Sequence, residues 1–158
     1  MAKQTKTNAL RILDTAGIPY QEHLYEPENG IDGQSVARSL KEDPEQVFKT
    51  LVARGASRAL YVFVVPVTGT LNLKKAARAC GEKSIEMIPQ KELLPNTGYI
   101  HGGCSPIGMK KAYPTYLDET AQLFSTICVS AGRIGAQVEL SPEDLSSITG
   151  AKYAELTD

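Results

Sequence analysis

The chain opens with apolar residues spaced three and four positions apart, which is the period of an amphipathic helix. The apolar residues that share one face of this helix are Ala9, Ile12, Leu13 and Ala16. Thr5 or Thr7 supplies an N-terminal cap, and Gly17 followed by Pro19 ends the pattern. The first element is therefore predicted to be a helix that packs one face on a core.

Two runs with strand character follow in the first half of the chain. Residues 48–54 and 60–67 are rich in Val, Leu and aromatic side chains, and a short polar stretch separates them. The second run is almost wholly apolar, which indicates a central strand buried on both faces and ended by Pro66. The two runs are predicted to be neighbouring strands of one sheet.

A second helix is predicted over Leu73–Cys80, with Asn72 as its cap and Gly81 as its stop. Its apolar positions, which the spacing turns inward, are Leu73, Ala76, Ala77 and Cys80. The remaining pattern predicts strands over 18–25, 85–88, 115–117, 125–130, 136–140 and 153–156, and helices over 34–41, over 89–94 and after Ser141. These elements predict an α/β chain of the mixed α+β type, with a mostly antiparallel sheet surrounded by helices.

Composition limits the class of protein. The chain has 158 residues, of which 42% are apolar, and a formal net charge of -1. One domain spanning 1–158 fits this length, since single domains commonly have roughly 100–200 residues. Balanced charge gives no overall attraction to nucleic acid or to a membrane, so a bound polyanion must meet a local basic patch. No apolar stretch approaches the roughly 20 residues that span a bilayer, and we expect a soluble cytoplasmic protein.

Cysteine and histidine positions favour neither a metal site nor a catalytic triad. The three cysteines, Cys80, Cys104 and Cys128, are widely spaced with no CxxC pair, so neither a disulfide framework nor a zinc site is predicted. His23 and His101 are the only histidines, and their spacing with Cys104 does not support a shared metal. No cofactor is expected.

A glycine-rich run over 98–111, GYIHGGCSPIGMKK, is the most informative local pattern. Its glycines allow backbone amides to approach a ligand closely, although irregular connections use the same residues. Lys49 lies at the start of a predicted strand, where its side chain either reaches a cavity or is exposed to solvent. Composition alone favours the solvent-exposed alternative. Tyr25 is likewise a half-buried strand residue or a ligand contact.

Four motifs occur in a fixed order: FKTL at 48–51, LNLKKAA at 71–77, GY at 98–99 with GGCSPIG at 102–108, and VSAG at 129–132 with Gly135. Together they resemble the YbaK-type aminoacyl-tRNA deacylases, the superfamily of the editing domain inserted in bacterial prolyl-tRNA synthetases. The resemblance covers nearly the whole chain. It implies a free-standing trans-editing enzyme that hydrolyses mischarged Cys-tRNA(Pro), built on a twisted, mostly antiparallel sheet.

The resemblance also implies roles for particular residues. Lys49 matches the family's essential lysine, and Gly103 matches a glycine whose amide lies near the substrate carbonyl. The remaining expected substrate-binding residues are Tyr25, Thr50, Gly102, Ser130 and Gly132. The chain departs from the family pattern at two places. Relatives commonly have two glycines and a basic pair where this chain has residues 131–134, and they have a pocket-lining aromatic residue near the position of Asp32.

Two mechanisms stay open at this point. The resemblance suggests that the substrate's own cysteine thiol attacks its ester, whereas a positioned water would also process alanyl or seryl esters. In either case backbone amides of Gly102, Gly103 or Gly132 are expected to stabilise the developing oxyanion. Lys49 is expected to anchor the 3′-terminal nucleotide or to bias the local field.

Basic residues outside these motifs are candidates for contact with tRNA phosphates. They are Lys74, Lys75, Arg78, Lys83, Lys110 and Lys111. A solubilising helix face is the alternative interpretation for any one of them. Because phosphate contacts carry little sequence information, the resemblance implies that tRNA(Pro) is selected through association with prolyl-tRNA synthetase. Other hypotheses are a deacylase for alanyl or seryl esters, and a non-catalytic module that binds tRNA or synthetase.

Overall fold

A computed structural model describes residues 6–158 and, within them, contains five α-helices and eight β-strands. The helices are α1 (Asn8–Ala16), α2 (Gly33–Leu40), α3 (Leu73–Cys80), α4 (Leu93–Thr97) and α5 (Pro142–Thr149). The strands are β1 (Gln21–Leu24), β2 (Phe48–Gly55), β3 (Leu60–Pro66), β4 (Ile85–Met87), β5 (Thr115–Asp118), β6 (Ile127–Ser130), β7 (Ala136–Leu140) and β8 (Lys152–Ala154).

The strands form two sheets. A five-stranded sheet has the order β4-β2-β3-β5-β8, and a three-stranded sheet has the order β1-β7-β6. Pairing is antiparallel except at β3–β5 and β5–β8, which are parallel. The predicted mixed α+β class with mostly antiparallel pairing is confirmed, but two sheets replace the single predicted one. They join where Val47, just before β2, bridges Cys128 of β6.

Strand β3 is central, as its composition predicts. Val62 and Val64 pack into the larger core with α1 and the three-stranded sheet, while Phe63 and Val65 pack into a second core beneath α3. Burial on both faces explains why the run carries no alternating polar residues.

Local capping fixes several helix ends where the sequence predicts them. The Asn72 side chain accepts a hydrogen bond from the Lys75 N–H at 3.0 Å, and α3 ends at Gly81. Ser141 caps α5 in the same way, accepting from the Asp144 N–H at 3.1 Å. Thr7 caps α1, and the alternative cap, Thr5, lies outside the described residues.

Two predicted buried positions are wrong. Ala16 is exposed at the last residue of α1, and Leu10 is buried instead. Leu73 is 42% exposed, because it occupies the first position of α3 and only Ala76 and Ala77 of the next turn reach the core. Helices of eight or nine residues have little more than two turns, so their end positions lie at the rim of the core. Within residues 6–158 no helix is long and apolar enough to cross a membrane.

Candidate active site

A cavity of about 380 Å³ opens where the two sheets meet, between the start of β2, α2 and the glycine-rich loop. Five of the residues expected from the family resemblance line it: Tyr25, Lys49, Thr50, Gly102 and Ser130. These residues come from distant parts of the chain. The fold therefore brings three of the four motifs to one cavity, whereas LNLKKAA forms α3 elsewhere.

Lys49 is the second residue of β2, half-buried and opposite Val65 of β3. Its side chain forms neither an ion pair nor a hydrogen bond with another residue in the range 6–158. Its ammonium group is therefore free to meet a ligand charge in the cavity.

Unpartnered polar atoms are concentrated in the cavity. The Tyr25 hydroxyl, the Thr50 hydroxyl and the Gln137 side-chain carbonyl are buried, and none has a hydrogen-bond partner within the described chain. All three residues line the cavity, and the fourth such atom, the Tyr153 hydroxyl, belongs to a residue outside its lining. A buried polar group without a partner costs about 1–3 kcal/mol. These three atoms are therefore available to hydrogen-bond a molecule that enters the cavity.

Sequence reasoning missed Gln137. It lies in β7 directly opposite Ser130 of β6, and both residues are less than one-tenth exposed. In a strand with alternating apolar and polar residues, a glutamine at position 137 is expected to face solvent. The signal that reveals it is the hairpin register across the intervening turn, which places it beside Ser130.

The two glycine-bearing turns touch each other at Gly103. A Cβ atom there would lie 2.9 Å from the Arg133 carbonyl carbon and the Ile134 nitrogen, so only glycine allows this approach. The Gly103 N–H donates to the Ile100 carbonyl at 3.0 Å. The expected donation from Gly103 to a substrate carbonyl does not fit this geometry, and Gly103 is absent from the cavity lining.

Gly132 also differs from expectation. Its N–H donates to the Ser130 hydroxyl oxygen at 3.2 Å, and Gly132 does not line the cavity. Gly102 does line it, with φ at +87°, and its N–H forms no hydrogen bond with another described residue. Of the three expected main-chain donors, Gly102 is therefore the one that lines the cavity and has its N–H unpaired among the described residues.

Asp32 supplies a negative charge to the lining. It caps α2, and its carboxylate accepts hydrogen bonds from the Ser35 hydroxyl at 2.5 Å and the Ser35 N–H at 3.1 Å. These bonds hold the pKa of Asp32 below its ordinary value, so the group is ionised at neutral pH. A cavity with one carboxylate and one ammonium suits a ligand that carries both a cation and an anion.

Among the described residues that line the cavity, no serine or cysteine is hydrogen-bonded to a histidine. Burial raises the pKa of the cavity-lining Cys104 to about 12, so it is a thiol at neutral pH. His101 lines the cavity but hydrogen-bonds no serine or cysteine within residues 6–158, and Ser105 is fully buried outside the lining. His23 is also outside the lining, so the fold does not bring it to His101 and Cys104.

The basic residues proposed to meet tRNA all lie outside the cavity lining. Lys75 is already engaged, since its ammonium donates to Glu155 Oε1 and to the Thr157 carbonyl, each at 2.7 Å. Lys74 and Arg78 are exposed on α3, and Lys110 and Lys111 are exposed after the glycine-rich loop. Lys75 is thus the least available of the set.

Comparisons with known proteins identify the family and the fold of this chain. The model of the aminoacyl-tRNA editing domain matches residues 28–148. EbsC of Enterococcus faecalis, named as a proposed Cys-tRNA(Pro)/Cys-tRNA(Cys) deacylase, is 48% identical over 155 residues, which cover 98% of this chain and 94% of EbsC. The uncharacterized protein YwhH of Bacillus subtilis is 26% identical over 119 residues, covering 75% of each chain. A solved structure described as a proposed trans-editing enzyme for prolyl-tRNA synthetase superposes with a TM-score of 0.85 at 26% identity, covering 98% of this chain and 99% of that one.

Proposed function

This chain belongs to the aminoacyl-tRNA editing domain family, and we propose that it is a trans-editing deacylase that releases cysteine from mischarged Cys-tRNA(Pro). The observation that carries the proposal is the cavity whose lining contains Lys49 together with three buried polar atoms that have no partner within the described chain. A site of this kind fits the aminoacylated 3′ end of a tRNA, which offers an ammonium group, an ester and phosphates.

Binding of that end uses the two charges of the lining. Lys49 pairs with the negative charge of the terminal nucleotide, and Asp32 and Gln137 accept hydrogen bonds from the α-ammonium group of the amino acid. The hydroxyls of Tyr25 and Thr50 complete the hydrogen bonds of the bound end. The contacts of Tyr25, Thr50 and Gln137 satisfy groups that lack a partner in the free protein, which is a strong source of selectivity.

Ester cleavage needs charge stabilisation more than it needs a protein nucleophile. As the carbonyl carbon is attacked, negative charge develops on its oxygen, and the Gly102 N–H is the donor directed to it. One well-placed donor of this kind contributes roughly 3–4 kcal/mol.

The attacking group is the thiol of the bound cysteine. Its sulfur forms a bond to the carbonyl carbon, the ester C–O bond breaks, and the electron pair leaves with the ribose oxygen, which receives the thiol proton. Water then opens the small thiolactone to give free cysteine. The absence of a nucleophile–base pair from the described residues of the cavity supports this route, and holding the reacting groups together gains effective molarities on the order of 10⁵ M or more, partly offset by ring strain.

Recognition of the tRNA relies on its backbone and on a partner. Exposed Lys74, Arg78, Lys110 and Lys111 are suited to phosphates, which carry no base identity. Selection of tRNA(Pro) then comes from association with prolyl-tRNA synthetase in the cytoplasm, in line with the structural relative that is described as a proposed trans-editing enzyme for that synthetase. Cys-tRNA(Cys) is the second candidate substrate, because the name of EbsC covers both tRNAs.

A panel of aminoacyl-tRNAs tests the proposal. The purified chain is incubated with Cys-, Ala-, Ser- and Pro-tRNA(Pro) and with Cys-tRNA(Cys), and the released amino acid is followed against buffer. We expect rapid release of cysteine and near-background release of alanine, serine and proline. If alanine and serine were released as fast as cysteine, the attacking group would be water and not the substrate thiol. If no amino acid were released from any ester, the proposed enzyme activity would be rejected, and a non-catalytic module that binds tRNA or synthetase would be the remaining hypothesis.

A further inference from the structure

A second cluster of reactive side chains lies outside the cavity lining, on the three-stranded sheet and the segment after α2. It consists of His23 from β1, Cys128 from β6, Glu139 from β7 and Glu42, and one ligand atom of each lies within 4.8 Å of the others. The residues are far apart in sequence, which explains why their spacing predicts no metal site. The fold alone brings them together.

Sheet register explains the convergence. Cys128 is paired directly with Glu139, and the neighbouring pair on the same face is Ser130 with Gln137. Two residues along a strand span about 6.6 Å, so the cluster lies immediately beside the cavity wall. His23 Nε2 approaches Glu139 Oε1 at 2.7 Å and Glu42 Oε1 at 3.8 Å. Glu42 is held in place by α2, because its N–H donates to the Ala37 carbonyl at 3.0 Å.

The cluster is short of positive charge and contains an unpartnered thiol. The side chains of Glu42 and Glu139 are only 23% and 19% exposed, and within residues 6–158 their only ion-pair partner is His23. Cys128 is fully buried, and its sulfur has no hydrogen bond with another described residue. Glu139 also accepts a hydrogen bond from the Thr126 hydroxyl at 2.5 Å, so His23 is the one group among the four that can carry a positive charge beside the two carboxylates.

We propose that His23, Glu42, Cys128 and Glu139 form a structural binding site for a divalent cation of the zinc type. One imidazole nitrogen, one sulfur and two carboxylate oxygens are a donor set that suits Zn²⁺, whereas Ca²⁺ and Mg²⁺ select oxygen ligands only. Tetrahedral bonds of about 2.0–2.3 Å place ligand atoms about 3.3–3.8 Å apart. The cluster reaches this geometry when the 2.7 Å distance between His23 Nε2 and Glu139 Oε1 lengthens by less than about 1 Å and the longer distances between ligand atoms, up to 4.8 Å, shorten.

Four protein ligands leave no open coordination position, which is typical of structural rather than catalytic zinc. A bound ion links β1, β6, β7 and the end of α2. Because β6 and β7 also carry Ser130 and Gln137, the ion stiffens the wall of the cavity without touching the substrate. The inference is independent of the proposed deacylase activity, since it concerns different residues and a different ligand.

Metal binding to the full, tag-free chain tests the inference without any tRNA. The protein is stripped with a chelator and titrated calorimetrically with Zn²⁺, and a parallel sample is titrated with Co²⁺ and followed by absorption. We expect one saturable equivalent per chain, a rise in melting temperature, and the sulfur-to-cobalt charge-transfer band that reports thiolate ligation. Failure of the wild-type chain to bind saturably would overturn the inference.

Matched variants locate the site. Cys128→Ser removes the cobalt band, while Cys80→Ser, a change at the half-buried thiol of α3, keeps it. Because Cys128 is buried, Glu42→Gln serves as a second variant that preserves shape on a partly exposed side chain, and it weakens Zn²⁺ binding at least about tenfold. A cobalt band that survives Cys128→Ser, or unchanged affinity in a folded Glu42→Gln variant, would contradict the assignment.

Discussion

Ser130 and Gln137 face each other in register across the β6–β7 hairpin, and both side chains line the cavity. The next pair on the same face, Cys128 and Glu139, belongs to the proposed metal site. One face of a small sheet thus presents polar groups to two neighbouring sites, while its other face packs Ile127, Val129 and Val138 into the core. The apolar face fixes the register, and the register fixes both sites.

The unpartnered Tyr25 hydroxyl gives a prediction in which stability and activity move in opposite directions. Tyr25→Phe removes a buried group without a partner, so the free energy of unfolding of the ligand-free protein rises by about 1 kcal/mol. The same change removes a contact to the bound aminoacyl end, and kcat/KM for deacylation falls by about tenfold. Chemical denaturation and steady-state kinetics measure the two effects.

Tyr153→Phe is the matched control, because its hydroxyl is equally unpartnered but lies outside the cavity lining. It should gain similar stability and keep full activity. If both variants retained activity, the Tyr25 hydroxyl would have no part in substrate binding.

Gly103 is expected to tolerate no side chain. In Gly103→Ala the new Cβ meets the backbone of Arg133 and Ile134 at 2.9 Å, and backbone cannot move aside as a flexible side chain can. We expect a loss of about 1–3 kcal/mol in the free energy of unfolding. Gly69→Ala is the comparison, since its nearest contact is the Thr157 side chain at 3.0 Å. Equal, small losses in thermal or denaturant unfolding would show that the two loops do not pack as described.

How much of this arrangement the sequence predicts depends on the range of the interaction. The ends of α3 and α5 follow from Asn72, Gly81 and Ser141, because capping is decided within four residues. The parallel β3–β5 pairing depends on a long crossover, and neighbour-to-neighbour reasoning cannot find it. The second sheet is not predicted either, because it depends on the pairing of β1 with β7, which are far apart in the sequence.

The residues of the candidate site likewise fall into two groups, those that sequence motifs predict and those that only the fold reveals. Lys49 and the first glycine turn are recognised from the motifs, and the cavity contains both Lys49 and Gly102. Gln137 and the Cys128 cluster are visible only once the β6–β7 register is known. The hydrogen bond that occupies the Gly103 N–H depends on the conformation of its own turn, which a motif does not specify.

Cys104 should behave as an unreactive thiol despite lining the cavity. Burial raises its pKa to about 12, and burial together with Glu139 and Glu42 raises the pKa of Cys128 to about 12. In the metal-free protein at pH 7, well below both pKa values, the two thiols remain protonated, so iodoacetamide modifies them far more slowly in the folded protein than after unfolding. Their alkylation rates, followed by mass spectrometry, should increase as the pH rises toward 12. Rapid modification of Cys104 at pH 7 would indicate a thiolate and reopen a protein-nucleophile mechanism.

Ser105→Ala tests the other protein nucleophile. The Ser105 hydroxyl oxygen accepts the Ile107 N–H at 3.2 Å and the residue is fully buried outside the cavity lining, so its role is to shape the loop. We expect at least about half of the wild-type deacylation rate in the folded variant, with a stability loss of about 1 kcal/mol for the missing hydrogen bond. A folded but inactive variant would contradict the substrate-thiol mechanism.

The exposed basic residues of α3 are expected to act through phosphates. Replacing Lys74 and Arg78 with alanine should weaken tRNA binding and reduce the slope of log affinity against log salt by about 0.7–0.9 for each phosphate interaction that is removed. Lys75→Ala should have a smaller effect on that slope, because its ammonium is held by Glu155 and the Thr157 carbonyl. Filter binding over a range of salt concentrations measures this. Identical slopes in all variants would place the tRNA on another face.

The account depends most directly on Lys49, and single-turnover hydrolysis of Cys-tRNA(Pro) tests it. Lys49→Ala should lower the rate of cysteine release by about 100-fold or more, because the terminal nucleotide loses the charge that positions the ester in the cavity, while circular dichroism and melting temperature stay close to wild type. Lys152→Ala, which removes an exposed lysine outside the cavity lining, should react within about twofold of wild type, in keeping with the small effect of changes at exposed surface positions. A folded Lys49→Ala variant that releases cysteine at the wild-type rate would contradict the account.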